Sequence, residues 1–178
     1  MRETVKINLF DVFSSSGKVR TEEIVFEDSE IDLADTTYPV VKKSPIRLVF
    51  EAFEVGKIKL SGSFTVVLEI PCDRCLQPVE VVIVCDFDQI LLSEEMKMRN
   101  NYDEEESFLQ GNEFDVDEFV KMCVLMNMPS KVLCSEECRG LCPVCGNNLN
   151  ERECGCDSFV PDPRMADLMN IYLGNKEV

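Results

Sequence analysis

Ten cysteines punctuate this chain, and eight of them stand in four close pairs: Cys72 and Cys75 in CDRC, Cys134 and Cys138 in CSEEC, Cys142 and Cys145 in CPVC, Cys154 and Cys156 in CGC. The other two are accounted for by pattern. Cys85 falls on the apolar face of an alternating run and Cys123 on the apolar face of a helical one, where a free cysteine behaves as a small hydrophobe. Four pairs make two sets of four, the ligand count that two tetrahedral metal ions take. Two residues between thiolates let a tight turn aim both sulfurs at one ion about 2.3 Å away. Gly146 follows CPVC at a position that calls for positive φ, which glycine adopts cheaply, and Pro143 stiffens the same turn. CPVCG is the specific signal; CxxxC and CxC are weaker taken alone.

The pairing follows from separation along the chain. Cys142, Cys145, Cys154 and Cys156 lie within fifteen residues and can close a compact ribbon on one ion, with NNLNERE as the intervening loop. Cys134 and Cys138 then lack local partners, as do Cys72 and Cys75. The economical solution joins them in a second site, linking a strand hairpin to the segment after a central helix. A metal closing so long a loop contributes to the stability of the whole domain.

The hairpin is read from hydrophobic alternation. Ile58, Leu60, Gly62, Phe64, Val66, Leu68 and Ile70 share one face, and Lys59, Ser61, Ser63, Thr65 and Glu69 the other, a period of two that marks a half-buried strand. A second run follows from Val79 to Ile90, with Val81, Ile83, Cys85 and Phe87 on one side, so PCDRC is the tip of an antiparallel hairpin. Ile46, Leu48, Phe50 and Ala52 alternate as well, and so do Val5, Ile7 and Leu9. Residues 14–45 are weakly patterned and read as loops, with one strand near Glu23–Phe26. The run DEEESFLQGNEFDVDE, residues 103–118, reads as a solvated linker that ends in a helix start. Asp115 stands three residues before Glu118, the spacing of a capping box; Val116, Phe119, Val120, Cys123 and Val124 share one helical face, and Pro129 ends the helix. Asp162-Pro163 opens a last helix carrying Met165, Leu168, Met169 and Tyr172, which Gly174 stops. The expected fold is α+β: a β-rich antiparallel sheet or partly open barrel with a few helices and a C-terminal cysteine-rich zinc ribbon. Residues 1–133 form a β-rich domain with its central helix, 134–160 the zinc-binding segment, and 161–178 a helix packing back on the domain.

Charge and compartment restrict the function. The N-terminus has no apolar signal region and no run is long enough to span a bilayer, so the expected site is the cytoplasm, without membrane contact, where thiols stay reduced. Disulfides are disfavoured there. CDRC is followed by LQP and a strand rather than a helix, unlike a thioredoxin-type motif. Zinc is the preferred occupant, probed against an iron–sulfur cluster, which four cysteines also suit. The chain has no histidine, no Gly-rich phosphate loop, and fully cysteinate sites leave no place for a reacting water, so no catalytic residue is assigned and no enzyme activity is expected. With 34 acidic against 18 basic side chains, a formal charge of −16, the surface repels phosphate backbones. Acidity of this size serves solubility or a basic partner.

The strand ending in CDRCLQP, the acidic stretch before a short helix, MPSKVLCSEECRGLCPVCGNNLNERECGCD and finally DPRMADL together resemble the YceD family of large ribosomal RNA subunit accumulation proteins. The resemblance runs from about Ile46 onward. It implies a non-enzymatic protein connected with accumulation of large-subunit ribosomal RNA. It also implies that the Cys72, Cys75, Cys134 and Cys138 site is the family's common one, with the ribbon an addition. A basic ribosomal protein, or a pre-ribosomal particle containing one, is then the expected partner. Direct nucleic-acid binding through the ribbon is the rival reading. Arg139, Arg152 and Arg164 are interspersed with Glu136, Glu137, Glu151 and Glu153, so no basic patch shows, although Lys42, Lys43, Lys57 and Lys59 could assemble one on folding. A redox or iron–sulfur protein is the second rival.

Overall fold

The computed structural model describes residues 5–26, 28–33, 35–100 and 107–156. It divides into two units. The first comprises residues up to Pro71 and from Pro78 to Val132; the second comprises Cys72–Gln77 and residues from Leu133 onward. The helix expected over 161–178 lies outside the described residues.

The first unit is organised around the hairpin. Strands β6 (Lys57–Pro71) and β7 (Pro78–Leu92) pair in register along their whole length, from Lys57 opposite Leu92 to Pro71 opposite Pro78. The other edge of β6 is shared. β5 (Ile46–Glu54) pairs with its first half and β4 (Thr36–Lys43) with its second, separated by Ser44-Pro45. β2 (Val19–Ile24) then lies on β5, and β3 (Glu30–Leu33) on β4. The result is an antiparallel sheet of four rows, β7, β6, β5 with β4, and β2 with β3, the last two of which are broken. Among the described residues it does not close into a barrel. β1 (Lys6–Asn8), β8 (Leu109–Gln110) and β9 (Glu113–Asp115) form a small second sheet in the order β1-β9-β8.

Alternation decides which face is dry. Ile58, Leu60, Phe64, Val66, Leu68 and Ile70 of β6 are buried, as are Ile46, Leu48, Phe50 and Ala52 of β5. Gly62 lies in the same series because a methyl group there would run into the Arg47 carbonyl and the edge of the Phe87 ring. Helix α3 (Val116–Asn127) covers this face with Phe119, Val120, Cys123 and Val124. Asp115 caps it by accepting a hydrogen bond from the Glu118 N–H at 3.1 Å. Met128 is extended, as the residue before a proline must be, and the helix stops. Two short helices, α1 (Phe10–Phe13) and α2 (Glu94–Arg99), complete the unit, the latter capped by Ser93. No helix among the described residues is long and apolar enough to cross a membrane.

Antiparallel sheets with three short helices and a cysteine-rich C-terminal part give the α+β class anticipated from the sequence. Two segments differ. Residues 14–45 hold three strands rather than one. The alternation of β2 is concealed because Arg20 and Glu22 take its half-buried positions and pair with each other at 2.7 Å. In β4, Pro39 reads as a strand breaker but sits opposite Glu30 of the short β3. The acidic stretch is not merely a linker either: Phe108, Leu109 and Phe114 are buried in it. Dense acidic neighbours mask three core residues that a charge count cannot see.

Candidate metal centres

The second unit carries all eight paired cysteines. The sulfurs of Cys72, Cys75, Cys134 and Cys138 all lie within 4.8 Å of one another, and so do those of Cys142, Cys145, Cys154 and Cys156. These are the two sets that spacing selects. Cys85 and Cys123 lie in neither; burial pushes their thiols up to about 11 and about 12, so both stay neutral packing groups at physiological pH.

Two turns of the same geometry supply half the sulfurs. In CDRCLQ the Cys72 N–H donates to the Gln77 carbonyl at 2.8 Å and the Leu76 N–H to the Cys72 carbonyl at 3.0 Å. In CPVCGN the Cys142 N–H donates to the Asn147 carbonyl at 2.8 Å and the Gly146 N–H to the Cys142 carbonyl at 2.9 Å. Each turn needs a left-handed residue after its second cysteine, and φ is 72° at Gly146 and 61° at Leu76. Leucine there is strained by roughly 1–2 kcal/mol relative to a right-handed residue. Its side chain recovers little by packing, since it is 64% exposed. Gly146→Leu is therefore expected to destabilise the ribbon by about 1 kcal/mol, whereas Leu76→Gly should leave stability unchanged or raise it by up to about 1 kcal/mol. Urea unfolding of both variants checks the pair; a loss of stability in Leu76→Gly would contradict it. The strain at Leu76 was missed in sequence, although aligning CDRCL on CPVCG exposes it.

Two of the remaining sulfurs, those of Cys134 and Cys138, are placed by a short network. Cys138 closes a turn by donating its N–H to the Ser135 carbonyl, and the Arg74 guanidinium donates to the Cys138 carbonyl at 2.7 Å. The Leu141 N–H donates to the Arg74 carbonyl at 3.1 Å. Two donors point at sulfur itself: the Cys134 N–H at Cys72 Sγ, 3.4 Å away, and the Asn150 amide at Cys138 Sγ, 3.3 Å away. Asn150 belongs to the ribbon's own loop. It is held by the Arg139 N–H, which donates to its Oδ1 at 2.7 Å, and it donates in turn to Asn148 Oδ1 at 2.9 Å. No compositional signal marks it among the three asparagines of NNLN.

Electrostatics explain why each group suits a cation. Burial is the largest single influence on Cys72 and opposes ionisation, but backbone N–H groups of Arg74, Cys75 and Cys134 outweigh it and bring the thiol down to about 6. Backbone N–H groups of Cys145 and Val144 do the same for Cys142, also to about 6. The Asn150 amide lowers Cys138. Other members resist. Despite the Gln77 N–H, burial and the neighbouring thiols push Cys75 up to about 12, and Cys145 and Cys154 push Cys156 up to about 12. One or two charges per group are easy and four together are not, unless a dication shares the site.

The donor set fits a single tetrahedral ion. Sulfurs about 2.3 Å from a tetrahedral centre lie about 3.8 Å apart. Cys72 and Cys138 Sγ are 3.8 Å apart, and Cys75 and Cys134 Sγ 3.5 Å.

Fold and sites together define a class: a β-meander protein with a four-cysteine centre built from distant segments and a four-cysteine ribbon that follows it in sequence. The family model described as large ribosomal RNA subunit accumulation protein YceD matches residues 60–172. The chain belongs to that family. A curated relative, the chloroplastic large ribosomal RNA subunit accumulation protein YCED homolog 1 of Arabidopsis thaliana, is 22% identical over 142 residues, a match covering 65% of this chain and 44% of that protein. The chain thus spans less than half the length of this relative. No solved structure matches the chain.

Proposed function

We propose that the chain is a non-catalytic factor supporting accumulation of large-subunit ribosomal RNA by binding a basic ribosomal protein during assembly, with a structural zinc ion in each cysteine centre. The observation that carries this reading is closure: each group offers four thiols to one ion, so no coordination position is left for a substrate or a water. Sulfur separations near 3.8 Å favour one ion over a multi-iron cluster, in which bridging sulfide spreads the cysteines further apart. Thiolate centres of this kind need reduced cysteines, which suits a reducing compartment such as the cytoplasm. Eight ionised thiols and two dications would take the formal charge from −16 to about −20. Such a surface attracts a basic protein and repels RNA. Among the described residues, the arginines of the second unit are also engaged internally: Arg74 with the Cys138 carbonyl, Arg139 with Glu153 at 3.1 Å, Arg152 with Asn147. This weighs against RNA binding through the ribbon.

The test has two arms. Elemental analysis of protein purified without oxygen should return two zinc ions per chain and no colour. The purified chain, immobilised, should retain basic proteins stripped from large ribosomal subunits at about 50 mM salt and release most of them well above the salt at which the Debye length falls below about 8 Å. Retention of ribosomal RNA fragments instead, in a filter-binding assay on the same protein, would favour the rival reading and sink this one.

Asn150 supplies a finer test of the first centre. Outer donors to ligands typically contribute 10–100-fold in metal affinity. Asn150→Ala is expected to speed zinc release from the Cys72, Cys75, Cys134 and Cys138 site by about tenfold. Asn150→Asp, which sets a negative acceptor against a thiolate, should speed it more. A chromogenic chelator follows both, and unaltered release in Asn150→Asp would show the contact to be incidental.

A further inference from the structure

We infer that a groove at the β5–β6 turn is the docking site for a basic, amphipathic segment of the partner protein, an inference that rests on the basic-partner reading above and gives it a location. Two adjoining cavities, of about 240 Å³ and about 440 Å³, share Val55, Gly56, Ser93 and Glu95 as lining. Both lie wholly within the first unit. Their apolar surface comes from side chains that a folded chain ordinarily hides: Phe10 is 61% exposed, Val55 60% and Phe53 48%. Phe13 and Met96 line it from deeper positions.

The groove is preformed. Gly56 donates its N–H to the Phe13 carbonyl at 2.9 Å and accepts from the Ser93 N–H at 2.9 Å, so the turn is tied on one side to α1 and on the other to the cap of α2. A side chain at position 56 would strike Met96 and Ser93. Walls fixed by backbone hydrogen bonds pay little ordering entropy when a ligand enters.

Charge selects the occupant. Among the described residues, Glu54, Glu94 and Glu95 line the groove, against one lining cation, Arg99. Glu54 is paired with Lys57 at 2.7 Å, but Glu94 and Glu95 are exposed and form no ion pair among the described residues. An apolar floor with an acidic rim fits a segment in which lysines or arginines flank one or two large apolar side chains. It does not fit RNA, whose phosphates the rim would repel, and it lacks the self-complementary charge that a second copy of this chain would need.

The experiment places a photo-activated benzophenone amino acid at Phe53 in one protein and, as a control, at Val84 on the exposed face of β7, where the side chain is 52% exposed. The probe is the mixture of proteins stripped from large ribosomal subunits. Adducts with basic proteins at position 53 and not at 84, reduced about tenfold in a Glu94→Lys/Glu95→Lys background, are the expected result. Both glutamates are exposed, but they stand in the first turn of α2, where lysines oppose the helix dipole; a Glu94→Gln/Glu95→Gln variant that also loses adducts, with the melting curves of both variants, separates lost charge from a frayed helix. Adducts only at 84, or equally at both, overturn the groove but keep the basic partner. Absence of adducts at both positions together with an empty pull-down overturns both. Self-adducts of the chain, or crosslinks to added ribosomal RNA, overturn the groove in favour of those occupants.

Discussion

Replacing Cys75 by serine is expected to lower the stability of the metal-loaded chain by about 4 kcal/mol, roughly 10 °C in melting temperature. The size comes from chain statistics. Cys75 and Cys134 are 59 residues apart, and a cross-link closing a loop of that length removes about 4 kcal/mol of conformational freedom from the unfolded chain. The loop contains β7 and α3, so the effect reaches the first unit although the site itself lies in the second. Cys145→Ser is the counterpart. Its nearest downstream partner, Cys154, closes only a short local loop, so the sheet should melt as before and the ribbon alone should lose protection. Far-UV circular dichroism read with metal content separates the two: Cys75→Ser should hold one ion and melt early, and Cys145→Ser should hold one ion and melt late. A chelator must abolish the difference between Cys75→Ser and the natural sequence. If the two variants melt together while each retains one ion, the long-range centre contributes nothing to the fold.

Much of this architecture is legible before any coordinate, and what is legible has strong periodicity or rigid chemistry. The β6–β7 pair declares itself because thirteen consecutive residues, Ile58 to Ile70, alternate with a single lapse at Val67. α3 declares itself by five apolar positions on one face and by the Asp115 cap. The cysteine sets follow because four close pairs kept whole divide into two sets of four in only three ways, and separation along the chain selects one of them. Legibility fails where polar residues occupy inward positions, as Arg20 and Glu22 do on β2, or where acids crowd a core residue, as around Phe114. It also fails for groups that act through geometry alone. Asn150 matters because of a 3.3 Å approach to Cys138 Sγ, and the groove exists because three segments distant in sequence meet at Gly56. Neither leaves a trace in spacing or composition.

Phe119→Ala should be as damaging as Cys75→Ser by an independent route. The ring is fully buried on α3, with centroids 4.9 Å from Phe87, 5.2 Å from Phe108 and 5.1 Å from Phe114. Phe114 in turn meets Phe50 of β5 edge to face at 5.4 Å, so one side chain ties the helix to the main sheet and to β9 together. Truncating a phenylalanine so placed removes its transfer energy and leaves a cavity that three rings cannot easily fill, a loss of about 3–5 kcal/mol. Phe119→Leu keeps most of the volume and should lose clearly less. Urea midpoints measure both. What distinguishes this variant from Cys75→Ser is the metal: none of the eight ligands belongs to the hydrophobic core cluster around Phe119, so the folded fraction of Phe119→Ala should still hold two ions. Truncating the core thus lowers stability without emptying the cysteine centres, whereas opening the long-range centre lowers stability and removes an ion as well. Loss of an ion from the folded fraction on truncating Phe119 would mean that the ligand geometry itself depends on this core.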